Sequence, residues 1–483
     1  MKKDFDVIIL GGGPGGLSIG CLLAKEGMKS AIIEKAPALG GRYRSVDFHG
    51  CRVDCATHFI VSLVGSAEET SIYKLFSLLG LPLEYKFVPW PVGKVTQEKP
   101  GKMEILEMDP KLGLDNLFSF FAFIVGVDMS DETKKELLGA VNSLADISED
   151  ECRKLVDVSF SDWINRSVED PLAQSILDGF MSIGSHIPAK DVSLGYLASS
   201  FPCWVKSGIT QLYPKYGTLE TALIAPLAKY YTDHGGKVIT SRTARSITIE
   251  NGRAEGVVVS DDRNCFMLEE YSAPVVICAI PIFEAVAGNV LRSEYLTEGW
   301  ADAIRLMAEQ AVYDLTGFYL LRKDVVPREG YGYIHILDTD YGMPTDVGHL
   351  CLGSFINVIN EPPGKQLLCS CIYGSLDATH FGIPSRMENV REAYRRFKVG
   401  MEKAYPGFNE AIEFEGMNLL LNNTRYAMAR VPTEIDIQSP NIQGLYFAGD
   451  SIRTVCTEGT QMSDKCYQMA FPLRERIMNY LGS

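Results

Sequence analysis

Val7-Ile8-Ile9-Leu10-Gly11-Gly12-Gly13-Pro14-Gly15-Gly16-Leu17 is the stretch on which the fold turns. Four consecutive apolar residues closed off by glycine read as a strand buried on both faces. Gly11, Gly13 and Gly16 then form GxGxxG between that strand and a helical apolar pattern over residues 17–24, which is the context that makes the motif informative. Gly11 permits the tight turn, Gly13 lets the backbone approach a pyrophosphate, and Gly16 allows helix and strand to pack closely. Pro14 and Gly15 complete the turn, and the positive end of the helix behind them favours phosphate. Ala31-Ile32-Ile33 repeats the buried-strand pattern and ends in Glu34, 18 residues after Gly16. A carboxylate there can accept both ribose hydroxyls of an adenosine and repels a phosphorylated ribose. Lys35 follows at the same strand end and is counted with the cofactor contacts.

The whole chain has 483 residues, more than one hydrophobic core normally supports, so two domains or one domain with a large insertion are expected. Hydrophobic residues make up 46 % and charged residues 22 %, the balance of an ordinary globular protein. A net charge of −15 without any Lys/Arg-rich run repels a polyanion, which excludes nucleic acid as an expected partner. The twelve cysteines contain no zinc-like pair of CxxC units; no metal is expected, and most thiols should be buried and reduced. Lys2 and Lys3 precede an apolar stretch, but Asp4, Asp6 and the glycine turn argue against a signal peptide, so a cytoplasmic location is expected. No run approaches the roughly 18 apolar residues of a membrane span. Residues 117–125, between Asp115 and Asp128, read as a core helix, with peripheral membrane contact as the alternative.

Along the chain, residues 66–207 read as more helical and locally acidic, as in 128–150 and 189–199. Strand patterns return at residues 236–240, 244–250, 254–260 and 274–279, with Asn251-Gly252 as a hairpin turn between two of them. Residues 366–373 suggest a further strand, 387–405 a helix, and 444–450 restores the buried-strand pattern. No internal repeat stands out.

Leu39-Gly40-Gly41-Arg42 follows closely on the acidic residue; the two glycines allow backbone approach, and the arginine balances phosphate charge. With these residues the chain resembles the flavoprotein superfamily of phytoene desaturases, carotenoid isomerases, protoporphyrinogen oxidases and flavin amine oxidases. The resemblance implies bound FAD, held by Glu34, Gly40, Gly41 and Arg42. It extends through Gly50-Cys51-Arg52-Val53-Asp54-Cys55-Ala56-Thr57-His58, similar to the family stretch that passes near the isoalloxazine. Thr243-Ala244 is similar to the strand whose backbone meets adenine. Gly444 to Asp450, including Gly449, with Thr457-Glu458-Gly459, resembles the C-terminal flavin motif, with Asp450 on the ribityl or pyrophosphate. Two departures stand out: Tyr216-Gly217 where the family has Gly-Gly, and a bulkier, more polar run from Thr460 to Cys466. The implied fold is α/β: a discontinuous, glutathione-reductase-like Rossmann FAD-binding domain of residues 1–65, 208–282 and 435–483. An α+β substrate-binding domain of residues 66–207 and 283–434 is inserted into it.

Gly330-Tyr331-Gly332 lacks the third glycine of a second dinucleotide motif, so a tightly bound nicotinamide is not expected. Cys51 and Cys55, four residues apart in an extended segment and thus roughly 13 Å from one another, are beyond disulfide reach. Val455, Cys456 and Thr457 stand where amine oxidases of the superfamily carry an aromatic ring, which favours a small hydrophobic, polyene or isoprenoid-like substrate over an amine. The expected reaction is desaturation by hydride transfer to flavin N5, with an electron acceptor that the sequence does not name. His58 is a candidate proton carrier, beside a structural reading as a hydrogen-bonded histidine next to Phe59-Ile60. Cys456 and Thr457 are candidates to line the flavin face. FAD is expected to be noncovalent. A flavin amine oxidase, a non-redox isomerase and a flavin-free binding module like the prenyl-protein escort proteins are the alternatives.

Overall fold

Val7–Leu10 is the central strand of a five-stranded sheet ordered Lys237–Ile239, Ser30–Ile33, Val7–Leu10, Val275–Cys278, Leu445–Phe447. Every neighbouring pair is parallel. The computed structural model describes residues 4–62, 66–90, 93–99, 102–108, 129–185, 189–207, 209–309, 312–326, 334–336, 362–372, 391, 394–395, 397–403, 405–423, 429–449, 452–455 and 464–482. Val7, Ile8, Ile9 and Leu10 are each at most 1 % exposed, and burying each such side chain contributes roughly 1.5–3 kcal/mol. A parallel sheet needs crossovers that cover both of its faces. The helix Pro14–Lys25 supplies the first, burying Leu17, Ile19, Leu22 and Leu23 and packing beside the helices Ala225–Asp233 and Ala470–Gly482. The sheet thus draws its strands from three separate stretches of chain.

The strand patterns at 244–250 and 254–260 do not join this sheet. They form Arg242–Glu250 and Arg253–Asp261, which with Asn264–Ser272 make a separate antiparallel sheet packed against Val275–Cys278. Asn251 and Gly252 have φ of 50° and 73°, the positive values of a two-residue hairpin turn, and such a turn enforces antiparallel pairing.

The helical reading of residues 66–207 needs a second correction. Asp131–Ala145, Glu149–Lys154, Phe160–Ser167 and Leu194–Ser207 are helices, the first three with serine N-caps at Ser130, Ser148 and Ser159. Tyr85–Trp90, Gly93–Lys99 and Lys102–Met108, however, are strands. Tyr85–Trp90 pairs with Ile209–Pro214, which also pairs with Ile60–Ser62. Lys102-Met103-Glu104-Ile105 alternates polar and apolar residues, the period-two signal of a strand.

A third antiparallel sheet joins Gln366–Ile372, Val312–Leu321 and Ile412–Asn423. Because strand residues alternate in facing, Phe318 and Leu320 pack with Cys51 and Val53 of the N-terminal hairpin. Tyr319 and Leu321 pack on the opposite side with Phe397, Met401 and Phe408. The hairpin Ser45–Phe48/Cys51–Asp54 is therefore anchored to this sheet. Among the described residues no helix is long and apolar enough to cross a membrane; residues 117–125 and Gly330-Tyr331-Gly332 lie outside the described residues.

Candidate cofactor site

The glycine turn is built as its spacing predicts. Gly11 has φ of +103°, and a Cβ there would lie 3.0 Å from the Ala279 carbonyl oxygen. A Cβ on Gly16 would come 2.1 Å from the Gly11 carbonyl oxygen, so any side chain would push helix and strand apart. Gly13 is the N-cap of Pro14–Lys25, Pro14 opens the helix, and no side chain caps it. Its first N–H groups are thus left to the turn itself, with the positive end of the helix behind them.

Glu34 sits at the end of the second strand, 8 % exposed. Its Oε2 accepts the Gly12 N–H and its Oε1 the Ala36 N–H, both at 2.8 Å, which fixes the carboxylate beside the turn. Gly12 carries that bond and had no assigned role in the motif; its signal is its place between two motif glycines. Arg242 N–H donates to the Glu34 carbonyl and Ser241 N–H to the Ala36 carbonyl, both at 3.1 Å. The strand that contains Ala244 therefore starts beside the acidic residue. Lys35 turns outward, with a 69 % exposed side chain 3.8 Å from Glu284.

Two further segments close on the turn. Gly40 N–H donates to the Gly12 carbonyl at 2.8 Å, and a Cβ on Gly41 would lie 3.2 Å from the Gly13 Cα. Arg42, half-buried, lies in the short 3-10 turn Gly41–Tyr43. From the C-terminal side, Ala448 N–H donates to the Cys278 carbonyl at 3.0 Å, extending the sheet so that Gly449 meets Gly15. A Cβ on Gly15 would lie 2.8 Å from the Gly449 Cα. Asp450, Cys456, Thr457 and Gly459 lie outside the described residues. Backbone that only glycine tolerates, an uncapped helix start and a fixed carboxylate fit the pyrophosphate and ribose of a dinucleotide.

His58 is 3 % exposed, with both ring nitrogens near the Cys369 thiol, at 3.6 and 3.7 Å. Near it is a residue to which the sequence reading gave no role. Asp54, 7 % exposed, accepts the Leu219 N–H at 3.0 Å and the Ser45 hydroxyl at 3.4 Å, both on Oδ1. Burial pushes its carboxyl up to about 7; the charge of His58 and these hydrogen bonds oppose the rise, and Glu220 adds to it. The available signal was an acid following the apolar Val53 at a strand end. Cys51 and Cys55 form no disulfide, nor do Cys21, Cys152, Cys203, Cys278, Cys369 and Cys466, and no group of three or more potential metal ligands occurs among the described residues.

Residues 9–76 match the NAD(P)-binding Rossmann-like domain. This part of the chain is a dinucleotide-binding Rossmann-like unit. It is 40 % identical over 61 residues to a 4,4'-diapophytoene desaturase (4,4'-diapolycopene-forming) of Methylomonas sp, a match spanning 13 % of this chain and 12 % of that enzyme. The whole fold is similar to an oxidoreductase from Methanosarcina mazei, with a TM-score of 0.65, 17 % identity, and coverage of 95 % of this chain and 98 % of the other. It is equally similar to cyclohexylamine oxidase from Brevibacterium oxydans IH-35A, with a TM-score of 0.66, 15 % identity, and coverage of 99 % and 100 %. The chain thus shares the overall fold of these two structures, and its first strand-turn-helix unit is similar in sequence to that of a desaturase.

Proposed function

We propose that this chain is an FAD-dependent oxidoreductase that dehydrogenates a small hydrophobic, polyene or isoprenoid-like substrate. The observation that carries this reading is the convergence of Gly13 with Gly41 and of Gly15 with Gly449 beside the fixed carboxylate of Glu34. Glu34 would hold the adenosine ribose, and the start of Pro14–Lys25 with Arg42 would hold the pyrophosphate. Ala244 would meet the adenine, and Asp450 the ribityl or pyrophosphate. Bound FAD supplies a hydride acceptor. The chain contributes position and exclusion of water, with Cys456 and Thr457 lining the flavin face and His58 carrying a proton. In this reading residues 1–65, 208–282 and 435–483 bind FAD, and residues 66–207 and 283–434 shape the substrate site. FAD is held without a covalent bond, and an electron acceptor outside the chain reoxidises it.

The likeness to a diapophytoene desaturase over the first unit and the absence of an aromatic ring at Val455-Cys456-Thr457 support a hydrocarbon over an amine. The test is anaerobic bleaching of the visible flavin band by a polyene and, separately, by primary amines. Bleaching by the polyene is expected; bleaching by amines alone would make the protein an amine oxidase. Isomerisation of the polyene without bleaching would make it a non-redox isomerase.

A further inference from the structure

His58 belongs to the N-terminal segment and Cys369 to the strand Gln366–Ile372, 311 positions later. They meet where the sheet of Gln366–Ile372, Val312–Leu321 and Ile412–Asn423 packs on the hairpin Ser45–Phe48/Cys51–Asp54. Leu367 and Cys369 lie two apart on one face of their strand and pack there with Phe318, Leu320, Cys51 and Val53. Cys369 is 1 % and His58 3 % exposed. A thiol in such a layer can serve simply as a small apolar group, a task that valine or alanine would also perform. What cysteine adds is an S–H, and a histidine ring stands against it.

The Cys369 sulfur lies 3.7 Å from His58 Nδ1 and 3.6 Å from Nε2. A neutral imidazole has one N–H and one bare acceptor nitrogen. Because the sulfur is nearly equidistant from the two, its S–H can turn to whichever nitrogen is bare, in either tautomer. A thiol is a weak donor and a weak acceptor, but in a dry, apolar layer its hydrogen bonds gain strength. Donation to the bare nitrogen favours the neutral ring and so lowers its affinity for a proton. The other titratable groups packed here are the Cys51 thiol in the same apolar layer and Asp54, whose charge and that of His58 favour each other. Glu220, Arg52 and Cys55 stand around Asp54, and Arg52 is ion-paired with Glu220 at 3.0 Å.

We propose that Cys369 is a positioning residue for His58: its S–H holds the bare ring nitrogen of the neutral imidazole and gives way when that nitrogen takes the proton released from substrate. This rests on the oxidoreductase reading above. Dehydrogenation of a CH–CH unit removes one hydride, which bound FAD accepts. One proton also leaves, and the electron pair of its C–H bond becomes the second bond of the alkene. His58 takes that proton and becomes imidazolium. The thiol turns its hydrogen aside, and its sulfur is then placed to accept from the ring. A weak donor suits this task, because displacing it costs little.

The test uses the whole chain with its cofactor. The His58 titration is followed by nitrogen-15 NMR in wild type, Cys369→Ala and Cys369→Val, alongside the pH profile of rapid-reaction flavin reduction by the polyene of the bleaching test. Alanine removes both the S–H and its volume; valine removes the S–H and fills the space. Both are expected to raise the proton affinity of His58 roughly threefold, the loss of one weak hydrogen bond to the neutral ring. The acid limb of the reduction profile should move to higher pH by the same factor. A His58 titration left at its wild-type position in Cys369→Val, whatever Cys369→Ala does, makes the contact one of packing and overturns the proposal. A shifted titration with the acid limb unmoved, or a rate lowered equally at every pH, overturns the link to proton transfer. If no flavin binds, the oxidoreductase reading fails, while the titration still decides whether the thiol serves the ring.

Discussion

Gly15, at the start of the first helix, and Gly449, beyond the last strand of the parallel sheet, touch so closely that a Cβ on Gly15 would lie 2.8 Å from the Gly449 Cα and 2.9 Å from its nitrogen. Two distant stretches of the chain are thereby pressed together where the proposed cofactor cradle needs bare backbone. Gly15→Val should displace Gly449 and weaken FAD binding at least tenfold, about 1.4 kcal/mol. The far-ultraviolet circular dichroism should stay that of the folded protein. Titration of the apoprotein with FAD checks it; unchanged affinity would move the dinucleotide elsewhere.

Glu34 is a structural bolt as well as a candidate ribose ligand. Its loss strands the Gly12 and Ala36 N–H groups, and a buried donor left without a partner costs about 1–3 kcal/mol. Glu34→Ala should therefore lower the urea midpoint even in the absence of FAD, and Glu34→Arg should in addition abolish FAD retention. Equilibrium unfolding of the apoproteins measures the first effect separately from the second.

Asp54 makes stability fall with rising pH. Its carboxyl has an ordinary value of 3.8 and is pushed up to about 7 in the folded protein, chiefly by burial. Between those values the folded state keeps a proton that the unfolded state has lost, so its contribution declines by at most about 1.4 kcal/mol per pH unit. The contribution is intact below the unfolded value and gone above the folded one. Asp54→Asn lacks this dependence, so the stability of wild type relative to the variant should drop as pH rises through the acid range to neutrality. Paired thermal melts across that range check the sign; a rising difference would contradict the burial of an under-bonded carboxyl.

The first strand-turn-helix unit was legible because all of its determinants are local: four apolar residues, three spaced glycines and an acid at the next strand end. The Asn251-Gly252 hairpin was legible for the same reason, although its sheet membership was not, since period alone does not say which strands pair. The strands Tyr85–Trp90, Gly93–Lys99 and Lys102–Met108 were missed within an otherwise helical stretch because short alternating runs compete poorly with longer helical signals. Asp54 and the contact of His58 with Cys369, 311 positions apart, depend on tertiary packing that no local pattern encodes. The meeting of Gly15 and Gly449 was implied only by the family resemblance of the two motifs; the steric need for glycine at Gly15 came from the fold.

The most direct test of the central claim is to denature the purified protein and identify and count what it releases. The expected result is about one FAD per chain, free in the supernatant, with Gly15→Val nearly empty. A colourless protein that takes up no added FAD, or flavin that stays attached to the denatured chain, would contradict the noncovalent FAD site described by Gly13, Glu34, Gly41 and Gly449.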